Sequence, residues 1–103
     1  MLDNDEQALK KMLAITLESS PTILNDLLES FKKNDIEKIG FFAHKLKSTI
    51  DILNVAELKT DIRTIEKNAK EQTALDQIPA LIEKTNQILV SVFEGIKKDL
   101  ANL

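Results

Sequence analysis

The sequence predicts an all-α chain, an up-down-up-down antiparallel four-helix bundle with an additional N-terminal helix. Three observations carry that expectation. Only two glycines, two prolines and four aromatic residues occur among 103 positions, against many Leu, Ile, Lys, Glu and Ala; this profile favours helix over turn-rich sheet. Apolar residues recur at alternating spacings of three and four, the period of one helix face. The connections between such segments are short and polar, which forces neighbouring helices antiparallel. No repeat, low-complexity tract or linker interrupts residues 1–103, so a single domain is expected, long enough to bury one core without staples.

Five segments follow in order. The first runs from about Asp5 to Leu17, with Leu9, Met12, Leu13 and Thr16 on one face. Ser19-Ser20-Pro21 reads as its end, Ser20 serving as N-cap and Pro21 as first position of the next helix. That second helix carries Leu24, Leu27, Leu28 and Phe31 and stops near Asn34. Asp35 can cap the third, whose seam is Ile36, Ile39, Ala43, Leu46, Ile50 and Leu53. Asn54 followed by Glu57 reads as a capping box opening the fourth, with Val55, Leu58, Ile62, Ile65 and Ala69 inward. After a polar connection, Glu71 to Gln77, Pro79 starts a long fifth helix carrying Ile78, Leu81, Ile82, Ile88, Leu89, Val92, Ile96 and Leu100. Gly95 inside it lowers helix propensity by ~1 kcal/mol relative to Ala.

Composition excludes several classes of function. The net charge of −3 comes from interspersed acids and bases, and Lys32-Lys33 and Lys97-Lys98 are too short for a nucleic-acid footprint. No apolar run approaches the ~18–20 residues that span a bilayer. With no cysteine there are no disulfides, thiolate metal sites or cysteine nucleophiles. One histidine without cysteine also lacks the ligand spacing of a metal site. M-L-D-N-D-E-Q at the N-terminus is not a signal peptide, and a cytoplasmic setting is expected.

The one histidine, His44, sits in G-F-F-A-H-K-L-K-S-T. On a helical wheel the apolar seam of its helix centres about 140° away, so the imidazole points away from the core. Gly40 lies one turn before and Ser48 one turn after, both small, and Asp51 is two turns on. Lys47 flanks one side, Phe41 the other, with Ile52 beyond. Small neighbours let another surface approach the ring, and exposed Phe41 and Ile52 would supply contact area. The alternative tucks Phe41 and Ile52 beneath the first or fourth helix. A neutral imidazole is a nucleophile toward phosphorus, and a lysine one turn away can pair with phosphoryl oxygens. An acid–base enzyme built on His44 with Asp51 or Glu37 would need convergent groups in a pocket, which one outward helix face does not offer. The carboxylate pairs, Asp61 and Glu66 among them, read as solvated faces or helix N-terminal charges.

The segment A-H-K-L-K-S-T-I-D-I-L-N-V-A-E-L resembles the signature of histidine-containing phosphotransfer domains: Ala-His, Leu46, Lys47, a small residue at Ser48, then Leu53 and Leu58. Ile65-Glu66 looks like the hydrophobic-Glu pair of the following helix in that family, and Ser20-Pro21 like the start of its second helix. The resemblance implies a phosphorelay intermediate without autokinase activity. His44 would accept a phosphoryl group from the aspartate of one receiver domain and pass it to that of another, with Lys47 stabilising its charge. Gly40, Phe41, Lys45, Ser48, Asp51 and Ile52 would meet the partner. Partners would be response-regulator receiver domains, with a hybrid sensor histidine kinase as a further candidate; the chain would act as a monomer. No cofactor or metal is expected on this chain, Mg²⁺ belonging to the receiver, in keeping with the absence of a Gly-rich phosphate loop. Two departures stand out: Ser48 where the family usually has glycine, and Leu53-Asn54 where it often has Leu-Gly. A helical interaction module that docks partners without phosphotransfer is the alternative.

Overall fold

The two helices expected before Asn34 are one. In a computed structural model describing residues 2–101, α1 (Leu2–Lys32) runs unbroken for 31 residues with Pro21 inside it. It is followed by α2 (Ile36–Ile52), α3 (Ala56–Glu71), a single 3-10 turn (Leu75–Gln77) and α4 (Ile78–Ala101). There is no strand among the described residues. The separate N-terminal helix is therefore corrected to the first half of α1.

Local chemistry explains why Pro21 does not end α1. Proline lacks the amide that would bond the Leu17 carbonyl, a defect of ~3 kcal/mol in a helix interior. The side chain expected to cap a new helix is committed elsewhere, because the Ser20 hydroxyl is buried against Thr49 Oγ1 of α2 at 2.8 Å. Ser19 Oγ donates to the Ile15 carbonyl. Thr16, Ser20, Leu24 and Leu27 form one continuous buried stripe across the proline, so a break here would uncover the face that packs on α2.

The three turns between helices close alike. Asn34, Asn54 and Gln72 adopt left-handed backbone, at φ 54°, 53° and 51°. After each, an amide reaches back five residues: Asp35 to Ser30, Val55 to Ile50 and Thr73 to Asn68. This is the Schellman closure of a helix C-terminus, made twice with asparagine, which tolerates that region better than most, and once with Gln72. Asp35 then caps α2 by accepting from the Lys38 amide at 3.2 Å. The expected Asn54–Glu57 capping box is absent. Asn54 is spent on closing α2, the N-cap of α3 is Val55 without a side-chain bond, and Asn54 Oδ1 accepts from Lys59 Nζ instead.

Each helix gives one stripe to a single core. Leu24 and Leu27 come from α1, Ile39, Ala43, Leu46 and Ile50 from α2, Leu58, Ile62, Ile65 and Ala69 from α3, and Ile78, Ile82, Leu89 and Phe93 from α4. Leu9 and Met12, expected inward, are exposed. With α1 nearly twice as long as α2 and Ser20 already opposite Thr49 near the end of α2, the first turns of α1 lie past the cover that α2 provides. Pairings across the α2–α3 seam (Gly40 with Ala69, Lys47 with Glu66, Asp51 with Arg63) run in opposite sense along the two helices. On the far side of α3, Lys84 of α4 is paired with Asp61 at 2.8 Å.

Neither glycine serves a turn; both are helical with negative φ. At Gly40 an added Cβ would stand 3.3 Å from the Ala69 Cβ and 3.7 Å from the Lys70 Cγ, whereas at Gly95 it would meet nothing within 4 Å. The glycine of α2 lets α3 approach; that of α4 only costs propensity. Gly95→Ala should therefore stabilise the fold by about 0.5–1 kcal/mol, while Gly40→Val should destabilise it by about 1–3 kcal/mol through overpacking. Thermal denaturation of the two variants checks the pair, and a stability ranking in which Gly40→Val equals or exceeds the parent would refute the close-approach account.

Candidate phosphotransfer site

Of the residues singled out in the sequence, His44 and Lys47 come together, and they do so on a residue read there as solvated. Glu66 is 7% exposed. It leaves the edge of the α3 stripe beside Ile65 and points into the seam with α2. Its Oε2 accepts from His44 Nδ1 at 2.5 Å and from Lys70 Nζ at 3.0 Å, and its Oε1 accepts from Lys47 Nζ at 3.0 Å. Burial alone would raise the pKa of this carboxyl. Hydrogen bonds from Lys70, Lys47 and His44 outweigh it and bring the group from its ordinary 4.5 to about 2.

An ionised carboxylate only accepts, so the His44 nitrogen facing it carries the proton. The neutral ring then has its lone pair on Nε2, directed away from Glu66. The His44 side chain is 59% exposed, which leaves that nitrogen accessible from solvent. The arrangement is a fixed tautomer with an outward nucleophilic nitrogen beside two ammonium groups.

The remaining expected residues divide. Phe41 and Ile52 are about half exposed, so neither is tucked beneath another helix. Lys45 Nζ lies 4.8 Å from the Phe41 ring centroid, and Phe41 meets Phe42 edge to face at 5.1 Å. Ser48 is exposed. Gly40 is not part of this surface: it is buried against α3, because its wheel position falls on the seam side of His44. Asp51 is exposed but closed on Arg63 Nη2 at 2.8 Å, a bond that holds its carboxyl below the ordinary range. Lys47, which flanks His44, is half-buried and bonded to Glu66.

Glu66 is the residue that sequence reasoning misplaced. Reflecting α2 onto α3 about the Asn54 turn places Glu66 level with Phe42, within one turn of His44, so only its neighbourhood was available from the antiparallel expectation. Asp61 is likewise not solvated but half-buried and paired with Lys84. Among the described residues no group of three or more His, Cys, Asp or Glu could hold a metal ion, and no helix is long and apolar enough to cross a membrane.

Residues 11–101 match the sequence model of the family described as Hpt domain. The chain belongs to the Hpt domain family. No curated protein and no solved structure matches it. The Hpt assignment places the chain among the phosphotransfer carriers of two-component signalling, which work with receiver domains and kinases rather than as kinases themselves. The match takes in the whole His44–Glu66 site and all of α2 and α3, and begins within α1.

The Glu66 pKa sets a pH dependence. Because the folded-state value lies below the unfolded one, the carboxylate stabilises the fold fully above about pH 4.5 and loses that contribution as pH falls toward about 2. The span corresponds to at most about 3 kcal/mol. Glu66→Gln should be less stable than the parent by about 2–4 kcal/mol at neutral pH, the gap narrowing on acidification. Urea unfolding across that range measures it, and a gap independent of pH would show that the charge of Glu66 does not stabilise the fold.

Proposed function

We propose that this Hpt domain is a phosphorelay intermediate with His44 as phosphoacceptor. The observation that carries the reading is the pinned imidazole: Nδ1 bonded to buried Glu66, Nε2 facing solvent. In the forward step the Nε2 lone pair attacks the phosphorus of a receiver's aspartyl phosphate. The N–P bond forms, the P–O bond to the aspartate breaks, and the aspartate leaves as a carboxylate. Nδ1 keeps its proton, so the phosphorylated ring carries positive charge, which the Glu66 carboxylate opposes across the existing hydrogen bond. That charge also makes the ring a good leaving group when the aspartate of a second receiver attacks in turn.

Lys47 is the phosphoryl-stabilising cation of this reading. Its ammonium is one turn from His44 and held by Glu66 Oε1, near enough to exchange that oxygen for those of an arriving phosphoryl group. Phe41, Lys45, Ser48 and Ile52 form the surface on which a receiver docks. We drop Gly40 from direct contact and keep Asp51 as a rim residue tied to Arg63. Mg²⁺ stays with the receiver. We read residues 1–103 as one Hpt domain acting as a cytoplasmic monomer, its four helices alternating up-down-up-down as the α2–α3 pairings suggest.

Incubation with a phosphorylated receiver and Mg²⁺ should give acid-labile, base-stable label that is lost in His44→Gln. Label persisting in that variant would end the assignment. Lys47→Ala should remain folded and accept phosphate ~10-fold more slowly or worse; a folded variant at the parental rate would remove Lys47 from the step. Binding of receivers without label in the parent would favour a docking module instead.

A further inference from the structure

Two ammonium groups converge on Glu66, and the reading above uses only one. Lys47 takes Oε1; Lys70 takes Oε2, the oxygen that also holds the His44 Nδ1 proton. Lys70 follows Glu66 by one turn of α3, and the α2–α3 contact helps to place it. A Cβ on Gly40 would stand 3.7 Å from the Lys70 Cγ, ordinary contact distance, so the lysine stem lies against α2 at this glycine.

A carboxylate at Nδ1 affects imidazole in two opposed ways. It fixes the tautomer whose Nε2 lone pair faces outward, which a nucleophile needs. It also favours imidazolium, which has no lone pair at Nε2. Fixing the tautomer requires only an acceptor oxygen, whereas stabilising imidazolium requires net negative charge. A cation on the same oxygen preserves the first effect and cancels much of the second. Lys47 cannot supply this throughout the reaction if it turns to the phosphoryl group; Lys70 can.

We propose that Lys70 is a positioning residue for phosphotransfer: by sharing Glu66 Oε2 with His44, it keeps the imidazole neutral with its Nε2 lone pair outward while Lys47 serves the phosphoryl group. This rests on His44 being the phosphoacceptor. Lys70 makes and breaks no bond and does not touch the phosphoryl group. The charged groups around the pair are Lys45 and Lys47 on α2 and Glu66 and Lys70 on α3, with Glu37 of α2 beside Lys70 in a shallow cleft shared with Ala69 and Gln72. Asp51 and Arg63, next along the seam, are closed on each other. Among the described residues α1 and α4 contribute no hydrogen-bond or ion-pair partner to His44, Lys47, Glu66 or Lys70.

The test compares parent, Lys70→Gln and Lys70→Arg by ¹⁵N NMR titration of the His44 ring and by phosphorylation from a phosphorylated receiver across pH. In Lys70→Gln the ¹⁵N titration of the ring should move to higher pH, because the cation on Glu66 Oε2 is gone. Its rate should fall roughly twofold near pH 6, and the profiles should cross so that the variant is the faster near pH 8.5, a more basic ring being the better nucleophile once neutral. Lys70→Arg should restore the parental curve. An unchanged NMR titration in Lys70→Gln overturns the proposal. So does a loss of rate equal at every pH, which would make Lys70 a direct phosphoryl contact. Absence of label on His44 in the parent itself fails the phosphoacceptor reading, a result separate from either Lys70 outcome.

Discussion

A carboxylate taken out of water needs donors, and the organisation of this site follows from meeting that need for Glu66. An ionised group at 7% exposure is tolerable only when its lone pairs are filled. Three side chains fill them, two from α2 and one from α3 itself. Each is fixed in return: His44 acquires a tautomer and a direction, Lys47 a resting place, and Lys70 a position over the α2 backbone. The same hydrogen bonds that lower the carboxyl pKa to about 2 thus present Nε2 to solvent.

The scaffold serves this contact. Gly40 and Ala69 let α2 and α3 come close, and Asp51 with Arg63 closes the seam farther along. Ser20 and Thr49 hold the opposite side of α2 to α1. The helix bearing His44 is thereby fixed from both flanks, and its outer face carries the small, apolar and cationic residues Ser48, Phe41, Ile52 and Lys45.

Much of this was legible in the residues. The stripes of α2 and α3 follow from spacing alone; on α4 Ile82 and Leu89 were legible, but Thr85 and Phe93 complete the buried stripe where Val92 and Ile96 were expected. Asp35 was legible as a cap, and His44 as outward. Three features were not. Pro21 and Ser20 carry the signature of a helix start, and only the partner of the Ser20 hydroxyl, Thr49 on another helix, decides otherwise. Asn54 suits both an N-cap and a left-handed closure, and the need to end α2 decided between them. Glu66 on a wheel lies at the margin between core and solvent; its burial depends on which donors the neighbouring helix brings, a tertiary fact that α3 does not contain. Gly40 was placed on the right helix and given the wrong neighbour for the same reason.

Pro21 has a further consequence for how the molecule breathes. The Leu17 carbonyl has no amide to bind it, so the hydrogen-bond ladder of α1 is interrupted at the level where the helix leaves the cover of α2. The turns before it rest on fewer buried contacts, Leu9, Met12 and Ile15 being exposed, while the turns after it are anchored by Leu24 and Leu27. Helical propagation normally couples neighbouring turns; at this point the coupling is weakest. Amide exchange would then divide α1 into two cooperative units, the earlier opening without the later. The later half would stay locked to α2, on the side away from Glu66, while its extension opens and recloses independently.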